Sequence, residues 1–550
     1  MKKNLTVWNL FSVVILAAFA LFIMYPIFLI LYRSVIHGDT GALTLQNFAH
    51  FFAKKFYWGT MVNSLKVTVI STILSAALGL PLAYLMRSVK IKGSSFLNIL
   101  IVISYLSPPF IGAYAWIQML GRQGVITQFL NNTFGLHYGG VYGFAGIVLV
   151  FTLQSFPLVY IYVSGALKNL DNSLNEAAES LGCSRMGRIW KIIVPLVMPT
   201  LLASSMLVFM RVFADFGTPM LIGEGYKTLP VLIYNQFMGE VSGDDGFAAA
   251  ICCIVIGLTI VMFFVQRFLA GRNTYAMTAL KPMAAESLGG LRNVLVHLAV
   301  YMTVGLAILP QFVVVYTSFL ATNGGQVFTG GFALQSYDAT LFAKDNDVIW
   351  HTYFLGLCAI AAVLVLGVLI AYLSVRKRNT LNSILDVMTM FPFIIPGSVL
   401  GIAFVFAFNK SPIILTGTAL IMIISFAVRR MPYTVRSSTA ILGNISPSIE
   451  EAAISLGASD MTTFRKITVP MMMPGVLSGA IMSWVTIISE LSSSIILYTN
   501  STQTLTVSIY TEVIRGNYGN ASAYATILTV TSILSLLLFY KVTGRCDVSV

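Results

Sequence analysis

Twelve apolar stretches, most near the 20 residues that a helix needs to cross a bilayer, dominate this 550-residue sequence. They fall at 8–32, 61–86, 98–120, 141–164, 199–222, 246–270, 293–320, 351–374, 383–407, 413–428, 473–498 and 523–541, the tenth being the shortest. A backbone in hydrocarbon must satisfy its own hydrogen bonds, which leaves helices and closed barrels. Runs of this length select helices. The expected fold is therefore an all-α polytopic membrane protein of about 12 transmembrane helices. Composition agrees, because 10% of residues are charged against about a quarter in a soluble chain. A soluble multi-domain protein, a disordered chain and a disulfide-stapled domain are excluded.

The first stretch imitates a secretory signal, with Lys2 and Lys3 ahead of an apolar run that contains Ala18-Phe19-Ala20. The run continues through Tyr32, too long for a signal core, so an uncleaved first helix is expected. The sign of charge alternates with the connections. Lys168, Arg185, Arg188, Lys191, the run Arg376-Lys377-Arg378, and Arg429, Arg430 and Arg436 fall on one side. Glu224, Glu240, Asp244, Asp245, Asp338, Asp345 and Asp347 lean to the other. The positive-inside rule then puts both termini in the cytoplasm. The net charge of +13 records how the helices insert, which removes nucleic acid as a partner. Five cysteines and five scattered histidines show no metal-ligand spacing, so no metal site is expected.

The sequence also repeats itself. SLNEAAESLGCSRMGRIWKIIVPLVMP at 173–199 matches SIEEAAISLGASDMTTFRKITVPMMMP at 448–474, each pair 275 positions apart. Pro26, Tyr32 and Ser34 match Pro310, Tyr316 and Ser318 at an offset of 284, and Ala83-Tyr84-Leu85 matches Ala371-Tyr372-Leu373 at 288. Small loop insertions explain the drift. Residues 1–275 and 276–550 read as two halves of six helices, joined within 271–292. Six is even, so the halves share one orientation and form a parallel repeat about the membrane normal.

Each matched loop, 171–198 and 446–473, is a long cytoplasmic connection. Ser173 with Glu176, and Ser448 with Glu451, have capping-box spacing, which predicts a helix start. Gly182 and Gly457 sit where a helix end takes a left-handed residue. A second short helix is predicted to end at Pro195 and Pro470. Two copies of a small helix-turn-helix at one offset suit docking onto two equivalent cytoplasmic partners.

Glu176-Ala177-Ala178, three residues, Gly182, twelve residues and Pro195 are mirrored by Glu451-Ala452-Ala453, Gly457 and Pro470. This pattern resembles the EAA coupling motif of importer-type ABC permeases, and the resemblance covers the chain as two fused permease halves. It implies the type I permease fold of a bacterial inner membrane. It also implies two ABC ATPase subunits docked on these ten residues, and rocking of the halves as the ATPases close. The chain shows no P-loop of the form G-x-x-x-x-G-K-[ST], so ATP and magnesium are expected on partner subunits and no cofactor on this chain. A separate extracytoplasmic binding protein is implied as well.

Ionisable residues within spans mark function by default. Asp215 and Glu490 are equivalent at offset 275 and are expected to face each other across the pathway, favouring a cation. Arg211, four residues before Asp215, offers that acid a local partner instead, whereas Glu490 has Thr486 at the matching place. Pro108-Pro109 and Pro392 with Pro396 interrupt the third helix of each half. The segments ADFGTP and SELSSS, with the fused layout, resemble the ferric-iron subgroup of these permeases. Fused thiamine permeases and relatives for polyamines, phosphonates or sugar phosphates are the alternatives. An ion-coupled secondary transporter is the competing class, which leaves the paired loops unexplained.

Overall fold

The computed structural model describes residues 7–36, 41–135, 137–239, 245–270, 285–323, 327–342 and 347–543. Lys2, Lys3, Glu240, Asp244, Asp345 and most of the inter-half connection lie outside the described residues. We number the membrane helices α1 (Val7–Ser34), α2 (Lys55–Ser88), α3 (Ser94–Leu106 with Pro109–Leu120), α4 (Gly143–Lys168), α5 (Arg185–Ala214) and α6 (Asp245–Ala270). The second set is α7 (Gly290–Ser318), α8 (Val348–Arg376), α9 (Thr380–Ile394 with Gly397–Phe408), α10 (Ala419–Asn444), α11 (Asp460–Ile488) and α12 (Tyr518–Thr543). Among the described residues nine of these are single spans by length and hydropathy, and α3 and α9 add two spans bent by 100° and 111°; α10, which carries Arg429, Arg430 and Arg436, falls outside both groups. The bends fall at Pro108-Pro109 and Pro396, as the proline positions predict.

The tenth span departs from expectation. A helix over 413–428 with Arg429 and Arg430 beyond its end is predicted, yet α10 starts at Ala419 and holds both arginines near its middle. Gly417, at φ +85°, ends the preceding loop and delays the start. Burial of both guanidiniums against a carboxylate lets the helix continue past them.

Prolines in three helices share one device, and two of them depart from expectation. Pro195 and Pro470 are predicted to stop a short helix, but α5 and α11 run through them. A π turn spans Ile189–Ile193 before Pro195, Phe464–Thr468 before Pro470, and Ala20–Met24 before Pro26. Proline lacks an N–H and crowds the carbonyl four residues back. That carbonyl belongs to Lys191, Lys466 or Phe22, the middle of each widened turn.

Each half is built on a three-helix core, α2, α4 and α5 in one and α8, α10 and α11 in the other. Close crossing needs small residues. A Cβ added at Gly79 of α2 would lie 2.7 Å from Val159 Cβ of α4, and one at Gly367 of α8 would lie 2.8 Å from Thr434 Cγ2 of α10. The first helix of each half crosses over: α1 packs on α6 and both limbs of α9, and α7 on α12 and both limbs of α3. An antiparallel hairpin follows α7, pairing Leu320–Asn323 with Val327–Phe332; nothing in the apolar periodicity announces it.

Candidate functional site

Two places gather the residues singled out by the sequence. The first is the pair of matched loops. In the first loop a helix runs Asn172–Ser180, and Asp171 accepts the Ser173 N–H at 2.9 Å. In the second it runs Ser448–Ser455 after Pro447, with no side-chain cap. The predicted capping boxes therefore do not form. Asp171 and Pro447 start the helices one residue ahead of Ser173 or at Ser448, and Glu176 accepts from Asn172 Nδ2 at 2.9 Å instead.

Both helices end alike. Gly182 and Gly457 adopt φ +79° and +91°, as their positions predict. Cys183 N–H bonds Ala178 O at 2.9 Å and Gly182 N–H bonds Glu179 O at 2.9 Å. Ala458 N–H bonds Ala453 O at 3.1 Å and Gly457 N–H bonds Ile454 O at 2.9 Å. These paired bonds define a Schellman turn. Ser184 Oγ and Ser459 Oγ then cap the next helix by accepting from Gly187 and Thr462 N–H. The rigid turns leave Leu181 88% and Leu456 90% exposed.

The loops are anchored differently. Glu450, buried, meets Arg376 Nε at 2.9 Å, and the same guanidinium donates to Ile445 O at 2.7 Å. Lys377 holds Asp460 at 3.0 Å. The first loop has Arg188 on Glu179 at 2.5 Å and Arg185 on Glu286 at 3.6 Å. Breaking a buried pair costs about 3–5 kcal/mol. Arg376→Met is therefore expected to loosen Ser448–Ser455, read as faster amide exchange there with Asn172–Ser180 unchanged. Equal exchange in both loops would refute the anchoring role.

The second place lies where the chain breaks after α5 and α11. Short helices Gly217–Ile222 and Ser494–Leu497 follow the breaks. Asp215 Oδ1 accepts the Thr218 N–H at 2.9 Å, and Glu490 Oε1 accepts the Ser493 N–H at 3.1 Å. Each acid thus satisfies an N–H left orphaned by a helix start. The expected spans 199–222 and 473–498 break at these acids.

Partnering differs between the halves. Glu490 lacks a local partner in sequence, yet both Arg429 and Arg430 of α10 pair with it, and its side chain is 3% exposed. Its backbone carbonyl accepts from Ser494 Oγ and Thr506 Oγ1, each at 2.8 Å. Asp215 is half-buried, and among the described residues Arg211 makes no ion pair with it. The Arg211 guanidinium lies 4.9 Å from the Tyr105 ring centroid instead, where a cation–π contact is favourable.

Glycines make room for these side chains. A Cβ at Gly397 would lie 2.3 Å from Arg429 Nη1, and one at Gly112 would lie 1.8 Å from Gln154 Nε2. Gln154, 275 positions before Arg429, donates to Pro109 O at 2.8 Å. The two breaks touch across the halves, since a Cβ at Gly217 would meet Leu491 Cδ2 at 3.0 Å. Residue counting along one helix misses Arg429. The repeat offset finds it, because 154 plus 275 is 429, the middle of a span.

Paired six-helix sets, crossed-over first helices and two matched loops define a multi-pass membrane permease with two fused halves. The sequence profile described as "Binding-protein-dependent transport system inner membrane component" matches residues 75–275 and again 363–545. The chain belongs to that family and is a transport subunit of the inner membrane, the permease of an ABC importer. It is 30% identical to the ferric transport system permease protein FbpB of Actinobacillus pleuropneumoniae, over 97% of this chain and 78% of that one. A putative ferric transport system permease protein FbpB 1 of Haemophilus influenzae is 30% identical over 90% of this chain and 78% of that one. The molybdenum transport system permease protein ModB of Escherichia coli is 28% identical over 39% of this chain and 93% of its own length.

Proposed function

We propose that the chain imports ferric iron delivered by an extracytoplasmic binding protein, driven by two ATPase subunits. Supporting the iron reading is the 30% identity to ferric permeases over nearly the whole chain. The docking reading rests on one observation, the twin turns that hold Leu181 and Leu456 clear of the protein surface. Glu176, Ala177, Ala178, Gly182 and Pro195, with Glu451, Ala452, Ala453, Gly457 and Pro470, shape those docking elements. ATP and magnesium bind on the partner subunits. Both termini face the cytoplasm, the side of these loops. The solute passes between the halves, at the level of Asp215, Arg211 and Glu490.

The test is uptake by proteoliposomes that hold the permease, its ATPase and its binding protein. ATP-dependent accumulation of iron, and none of thiamine, is the expected result. Thiamine uptake without iron would reject the substrate. Uptake that follows an ion gradient without ATP would reject the class.

A further inference from the structure

The charge between the halves is the reverse of what the acid pair suggests. Arg429 and Arg430 share the single carboxylate of Glu490. Their Nε groups are buried and unpartnered. Arg211 has no carboxylate at ion-pair distance among the described residues and rests on Tyr105. Three guanidiniums therefore face two carboxylates, and both carboxylates also accept backbone N–H groups.

The surplus charge sits where the halves meet. Tyr105 and Arg211 belong to the first half, Arg430 and Tyr433 to the second, and Tyr105 lies within electrostatic reach of all three. Tyr162 lies near both Tyr105 and Tyr433. Tyr105, Tyr162, Tyr433 and Arg211 are all partly exposed. Phe393, edge-on against Tyr433 at 5.4 Å, is 37% exposed, so the cluster is not sealed on that side. Guanidinium forks and phenol hydroxyls together suit a planar or tetrahedral oxygen anion. They repel a bare cation.

We propose that Arg211 and Arg430, framed by Tyr105, Tyr162 and Tyr433, recognise an oxyanion between the halves. The cargo crosses this level with negatively charged oxygen exposed, either as a metal ion's companion ligand or as the solute itself. This rests on the reading that the pathway runs between the halves.

The probe is radiolabelled inorganic phosphate, bound at equilibrium to the purified full chain without ATPase subunits. Saturable binding is expected, weakened roughly tenfold or more by Arg211→Gln, because a lost charge-assisted hydrogen bond is worth that much. Arg211→Lys should lie between the two. Arg211→Gln breaks no ion pair, and size-exclusion of the variant checks the fold. No saturable phosphate binding, or equal binding by wild type and Arg211→Gln, overturns the proposal, as does a Lys variant as weak as Gln.

Proteoliposomes of the complete importer separate the two sources. Phosphate that enters only with iron marks a companion ligand, and phosphate that enters without iron marks the solute. Iron uptake at the wild-type rate by Arg211→Gln overturns the proposal even if phosphate binds. Wild-type vesicles that import no iron reject the substrate reading alone, since phosphate binding is measured without it.

Discussion

Aspartate at both Leu181 and Leu456 is expected to strip the ATPase subunits from the permease. Each leucine stands on a turn fixed by two backbone hydrogen bonds and a left-handed glycine. The backbone under each side chain, 88% or 90% exposed, is already ordered, so a partner that covers it costs only rotamer freedom, about 0.5–1 kcal/mol for a leucine. Burying a leucine is worth about 1.5–3 kcal/mol. Loss of both removes about 3–6 kcal/mol, or roughly 10²–10⁴ in affinity, before the cost of a buried aspartate is added. Copurification on a tagged permease reads this directly, with membrane insertion as the control. Single variants should retain part of the ATPase, because the other turn still docks. Undiminished copurification of the double variant would refute the docking assignment. Glu176→Arg with Glu451→Arg should act in the same direction.

The architecture is legible in the sequence because membrane physics leaves few choices. Twelve apolar runs, broken at prolines and repeated at fixed offsets, correspond to α1–α12 in order. Where the reading departs from the structure, the cause is local competition. Ser173 and Ser448 have the spacing of caps, but Asp171 and Pro447 lie just upstream and start the helices first. Pro195 and Pro470 look like stops, but a π turn just before each absorbs the missing donor and the helix continues. Arg429 and Arg430 look like an inner flank of a span. Their partner is 60 or 61 residues away in the break after α11, and no window of local sequence contains it.

That distant partner produces the second large effect. Glu490→Gln is expected to destabilise the permease strongly, and Asp215→Asn only slightly, although the repeat makes the two positions equivalent. Removing Glu490 leaves two adjacent, mostly buried guanidiniums, 11% and 18% exposed, without a counter-charge, worth up to about 3–5 kcal/mol. Removing the Asp215 charge weakens one capping hydrogen bond, worth about 1 kcal/mol. The thermal midpoint of the detergent-solubilised chain should therefore fall far more for Glu490→Gln. If buried charge is the cause, Arg429→Gln in the Glu490→Gln background should recover stability, because it removes one of the two unpaired cations. Groups in one ion-pair network are coupled in this way, and distant ones are not. Arg429→Gln added to Asp215→Asn has no such charge to relieve and should lower the midpoint further. Equal sensitivity of the two acids would mean that the guanidiniums find solvent, and would place Glu490 on the wetted wall of the pathway.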